Sequence, residues 1–495
     1  HSNGTWRFAT VQSGSSSNVT YSVAMTGASV TFYNLIAEGR SDTGWAKYQL
    51  SVPTTKSIVV AGTFTIGGSG AVGMGFLIGS GNIELKGNLV AQNSTCSNSD
   101  NVGNLIFNGT GAQTYTFPSG AGFQIPAGSG DKATLPAIEI NKSSGSVAAN
   151  GGTTDLVVQN FTLTAGSFDA PTGTLTTRSN FTAAAATTFN HNGGTLAFEP
   201  LTIGSATSTG MSLVVPGTTY TIGGLRVSGG NNVGAATYTL SLPVGLTLTA
   251  TGDLTVQRNG AGNGSILINN GAINVAGNLS FLVGSNGGST LINVDGIAAK
   301  TIVQTATTAI PGSTISIDKT SSSITETSAV ALSTAGQNLT ITSGIYNMAG
   351  FNLSVNNTLT ISAGGSLLCN GGTVTYSTAV INGAVECGAD IGITWTGATG
   401  DGLWSTAGNW TNNVVPGATD IALFNALCVG ANCNVTIDSS ISVKGIRLLG
   451  AYTGTMTQNA GSAVTIGSSG YQQAGGTFTG GNSPISIAGT FELVG

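Results

Sequence analysis

Chemistry needs side chains that hold or move charge, and these are scarce in this chain. Lys and Arg number 14, Asp and Glu 19 and His 2 among 495 residues. His191 is the one internal imidazole, and so the first residue to weigh as a base or a metal ligand. No second histidine lies near it. The cysteines Cys96, Cys369, Cys387, Cys428 and Cys433 do not have the Cys-x-x-Cys spacing of a zinc site. No metal site, cofactor site or catalytic residue is expected. Cys369 with Cys387 and Cys428 with Cys433 are read as two local disulfides, which implies an oxidising compartment. Cys96 is left over, and buried free thiols are the alternative for all five.

Cleavage of an acidic polysaccharide needs clustered carboxylates, with Ca²⁺ or a basic group beside them. No Asp-Asp, Asp-x-Asp or Glu-x-x-His occurs. Glu139 next to Lys142, and Asp318 next to Lys319, fall at corresponding places along the chain and are expected to form outward ion pairs. Calcium at Asp401 or Asp420 is a weaker reading, because two isolated carboxylates fall short of the roughly six to eight oxygens the ion takes. Phrases resembling Gly-x-Ser-x-Gly follow from the abundance of Gly and Ser and lack a strand-turn-helix context. With a net charge of −5 and its basic residues scattered singly, the chain has no face for nucleic acid or an anionic membrane. No apolar run approaches the roughly 20 residues of a membrane span. The chain opens at His1, as a processed product would, so an export signal is expected to have been removed.

The elements that would have to position such residues are legible. Residues 159–198 align without a gap on residues 337–376, and twelve positions are identical. The apolar positions correspond, Phe161 with Leu339, Phe168 with Tyr346, Leu175 with Leu353, Phe181 with Leu359, Phe189 with Leu367 and Leu196 with Val374. Two apolar residues flanking a polar one, as in FTL, LTI or INV, mark short strands with one buried face. They recur every six to eight residues with Gly, Asn, Asp or Ser between them. Three strands per coil, in coils of about twenty residues, describe a parallel β-helix. A row of β-sandwiches is the competing all-β reading, although its strands usually run longer. Stacked at about 4.8 Å, such coils would build a rod on the order of 100 Å long. His191 is replaced by Cys369 in the second copy, while Asn192, Gly193 and Gly194 recur as Asn370, Gly371 and Gly372, so the turn repeats and the imidazole does not. Fourteen Asn-x-Ser/Thr triplets follow from composition and are weak evidence for glycosylation.

One stretch breaks the rhythm. Residues 395–425 hold three of the five tryptophans, in a Gly-Asp-Gly-x-Trp-Ser-x-x-x-Asn-Trp run from Gly400 followed by Val-Pro-Gly-x-x-Asp-x-Ala-x-Phe from Val415. This stretch, with the LTLT, GTL and NGGT phrases before it, resembles secreted bacterial β-strand-repeat and autotransporter-passenger proteins. The resemblance implies export, a right-handed β-helix and a role at the cell surface, and it carries over no catalytic residue. Trp404 and Trp410 are read as a plug at the start of a module, with Pro416 and Asp420 shaping a loop. The rival reading is an aromatic platform for sugar rings.

The expected organisation is an N-terminal cap or docking segment at 1–56, a solenoid at 57–390, a Trp-rich junction at 391–427 and a further solenoid segment at 428–495. The GTFELVG ending is in strand pattern without a polar cap, so either the chain continues or its end stacks on another subunit. The expectation is a non-enzymatic structural subunit of an extracellular fibre, sheath or surface layer. It would self-associate head to tail, with Trp6 and Phe8 in the docking segment. The alternative is an adhesin that binds glycans or neighbouring cells.

Overall fold

The computed structural model describes residues 3–9, 19–39, 46–68, 74–78, 80–92, 103–117, 134–200, 208–229, 236–258, 265–282, 285–305, 309–388 and 391–493. Cys96, part of the proposed docking segment and the last two residues lie outside these. Among the described residues the chain is all-β, its only helical pieces being three short 3-10 turns at Ala407–Asn409, Thr411–Asn413 and Gly430–Cys433. Strands pair in parallel, apart from Glu386 opposite Ile393 and a bridge between Trp395 and Trp410. The parallel β-helix read from the sequence is the fold. The chain divides into two compact units, 1–273 with 282–290, and 274–281 with 291–495.

In the first unit, the bent strand Phe161–Asp169 and the strand Thr174–Thr177 form three sides of one coil. The next coil places Asn180–Ala183, Thr188–Asn190 and Thr195–Phe198 on them. Phe161 meets Phe181, Phe168 meets Phe189 and Leu175 meets Leu196, so the coil repeats every twenty to twenty-one residues. Alternation puts Phe161, Leu163, Phe168 and Leu175 inside. Parallel register then sets like on like, and the rings of Phe161 and Phe181 stack at 5.2 Å and 15°. Each buried ring contributes about 2 to 3 kcal/mol. Coil strands begin well before residue 57, since Thr5–Ala9 pairs with Asn34–Gly39 and Ser29–Phe32 with Ser57–Val60.

In the second unit, Leu339 meets Leu359, Tyr346 meets Leu367 and Leu353 meets Val374. These are the partners of Phe161, Phe168 and Leu175 and of their neighbours, each moved on by the repeat, so both copies occupy equivalent coil positions. The alanines of AAAATTF at Ala183 end a strand and enter a turn rather than a helix.

Candidate functional site

His191 sits in a tight turn. Its Nδ1 accepts the Gly193 N–H at 3.0 Å and its carbonyl accepts the Gly194 N–H at 2.8 Å. Asn192 and Gly193 have φ of 50° and 76°, and their counterparts Asn370 and Gly371 have 49° and 89°. These left-handed values are what an Asn-Gly turn supplies with least strain. The imidazole rims an apolar crevice formed with Ala170, Pro171, Leu175, Phe189 and Leu196, in which no acid or second ligand stands. It is a turn residue.

The equivalent Cys369 is bonded to Cys387, with Cα atoms 4.9 Å apart. Leu368 and Glu386 just before them are register partners, so this bridge ties one coil to the next. Cys428 pairs with Cys433. Both expected disulfides are therefore present. The second closes the loop whose Asn432 carbonyl receives the Trp395 indole N–H at 2.9 Å.

The tryptophans pack inward. Trp395, Trp404 and Trp410 are each 2% exposed or less and form a ring cluster, with Trp404 and Trp410 centroids 4.8 Å apart and Trp410 and Phe424 5.6 Å apart. An aromatic platform must offer an open face, so the glycan and inter-subunit contacts expected at Trp404 and Trp410 are corrected: these rings are module core. The loop after them is shaped as expected, with Pro416 buried and the Asp420 carboxylate accepting the Gly417 N–H at 3.0 Å.

Asp401 accepts hydrogen bonds from the Leu403 N–H, the Thr399 and Thr406 hydroxyls and the Asn409 amide. These donors, the Leu403 N–H foremost, hold its pKa down at about 2. Both its oxygens are taken up inside the loop. No group of three or more His, Cys, Asp or Glu with metal-site geometry occurs among the described residues.

The outward ion pairs are also corrected. Lys142 and Lys319 are 1% and 0% exposed. Lys142 Nζ donates to the carbonyls of Gly109 and Gly111 and to Gln113 Oε1, the last two at 2.8 and 2.7 Å. Lys319 Nζ donates to the carbonyls of Asp295 and Gly296 at 3.0 and 3.3 Å. Burial lowers the pKa of both. The three acceptors around Lys142 match the three donors of an ammonium, which is why the charged form fits there. Glu139 instead accepts from Thr164 and Asp318 from Ser343, both in the next coil.

Trp6 and Phe8 lie on the strand Thr5–Ala9 and contact Phe32, and Trp6 is 45% exposed. Two buried groups escaped the sequence reading. Arg178 and Arg226 flank Glu199 at 3.4 and 3.5 Å. Glu326 accepts the Tyr346 hydroxyl at 2.8 Å. The signal for Glu326 was present in its even spacing from Ile324, which puts both on the inward face.

In comparison with known proteins, the chain matches no family model, no curated protein and no solved structure.

Proposed function

We propose that this protein is a structural subunit of an extracellular fibre, sheath or surface layer, built as a β-solenoid and self-associating through solenoid ends. One observation carries the reading: the residue types that could do chemistry are bonded into the scaffold. His191 and Asp401 shape turns, Lys142 and Lys319 clasp the preceding coil, and the tryptophans fill a module. Two disulfides suit an oxidising, extracellular setting, as does the resemblance to secreted β-strand-repeat proteins.

Electron microscopy and sedimentation of the purified chain test the reading. Concentration-dependent polymers are expected, and a monomer at every concentration refutes it. The adhesin alternative loses Trp404 and Trp410 as contacts, since they offer no surface, and keeps Trp6.

A further inference from the structure

We infer that Glu326 is a proton-operated latch inside the second unit: neutral, it lets the coils carrying Thr314–Glu326 and Asn338–Asn347 close on each other, and ionised, it loosens them. Glu326 is 1% exposed. It shares the inward face with Ile324, lies opposite Ile302 of the preceding coil, and gives Oε1 to the hydroxyl of Tyr346, itself 1% exposed. Its other oxygen, Oε2, is buried without a hydrogen-bond partner among the described residues. A buried carboxylate with one bond and no cation is unfavourable, whereas the neutral acid fits such a place.

The neighbouring elements supply no compensating charge. Strand Lys300–Gln304 carries Lys300, whose register partner is Ile324, and Gln304, whose carboxamide is bonded to the Ala331 backbone at 2.7 and 3.1 Å. On Glu326's own strand, Lys319 is bound to the Asp295 and Gly296 carbonyls and Asp318 is exposed and bonded to Ser343. Strand Asn338–Asn347 offers Tyr346 as its one titratable group, and Val330–Leu332 offers none.

Burial, the larger influence, raises the Glu326 pKa to about 8, and the Tyr346 bond opposes it. The direction of linkage follows. Below the ordinary carboxyl pKa of 4.5 the group is protonated in both the folded and the unfolded chain. Between 4.5 and about 8 the unfolded chain ionises and the folded one does not, so the closed state loses about tenfold in population per pH unit. Above that window the loss is complete, at about three orders of magnitude.

The test is hydrogen exchange of the full chain by mass spectrometry, read on peptides within 314–347 from pH 5 to 9 and corrected for intrinsic exchange. The opening equilibrium in the wild type is expected to rise about tenfold per unit and level near pH 8. Glu326→Gln keeps an acceptor for Tyr346 and removes the titration, so its profile should be flat. Tyr346→Phe, which removes the bond that lowers the pKa, should move the wild-type midpoint to higher pH. If Glu326→Gln does not fold, the Tyr346→Phe shift carries the test. A slope shared by wild type and Glu326→Gln, or a midpoint unmoved in Tyr346→Phe, overturns the latch.

Discussion

At the scale of the residue, what decides each role is whether a polar side chain finds partners within reach of its own coil and the coils above and below it. Lys142 illustrates this. The register of Ala137–Ala149 on Phe161–Asp169 shifts after Ile140 and again between Asn141 and Ser146. The strand Thr314–Glu326 shifts on either side of Asp318 in the same manner. Alternation from Ile138 and Ile140, and from Ile315 and Ile317, already points Lys142 and Lys319 inward, and the register shift beside each marks the corner at which its ammonium reaches the carbonyls of the coil before it. Gly166 and Gly344 in the following coil, with φ of 86° and 77°, come so close to these lysines that an added Cβ would lie 2.8 Å from Lys142 Cβ and 2.1 Å from the Lys319 carbonyl. Lys142→Ala takes the ammonium donor from the Gly109 and Gly111 carbonyls and leaves Gln113 Oε1 with the Gly109 N–H alone. It is expected to cost about 2 to 4 kcal/mol in urea unfolding, and a loss below about 0.5 kcal/mol would refute the clasp. Asp401 acts locally, and its stabilising effect is complete above the ordinary Asp pKa of 3.8 and fades as pH falls through about 2. Asp401→Asn should therefore loosen the Trp404 environment, seen in its fluorescence, at neutral pH, while the two proteins converge in strong acid.

At the scale of the element, the Asn-x-Ser/Thr triplets acquire a structural meaning. The side-chain oxygens of Asn160, Asn180, Asn278, Asn338, Asn352 and Asn434 each accept the backbone N–H of a residue one coil on, at 3.0 to 3.1 Å. The middle residues, Phe161, Phe181, Leu279, Leu339, Leu353 and Val435, are buried. One triplet thus spells a staple, a core residue and an outward hydroxyl. Asn338→Ala should cost about 1 kcal/mol, with Asn338→Asp, which keeps the oxygen, costing less; equal losses in thermal unfolding would deny the staple. The strands and their registers were legible because period-two alternation and Asn-Gly turns are local signals. The clasps were not: Lys142 and Lys319 stand on the inward face by alternation, but the carbonyls they reach lie 23 to 33 positions earlier, which no local signal marks. The tryptophan cluster was legible as a plug, but which rings it brings together was not. Trp395, Trp410 and Phe424 meet through the folding of one stretch back on itself, a tertiary fact with no periodic mark.

At the scale of the whole chain, parallel stacking makes stability a sum over neighbouring rungs rather than the property of one core. The two compact units should then unfold with some independence, and calorimetry should give a measured enthalpy above the van't Hoff value. The disulfides offer a way to assign the transitions. Both bridges of the described residues lie in the second unit, and Cys369–Cys387 closes a separation of 18 residues between successive coils. Constraining a loop of that length stabilises by about 3 kcal/mol. In a unit of some two hundred residues that corresponds to a shift of roughly 6 to 12 °C. Cys369→Ala with Cys387→Ala should therefore lower one calorimetric transition by about that amount and leave another in place. A uniform downward shift of a single two-state transition would mean that the coils cooperate along the entire chain, and nearest-neighbour stacking would no longer account for its stability.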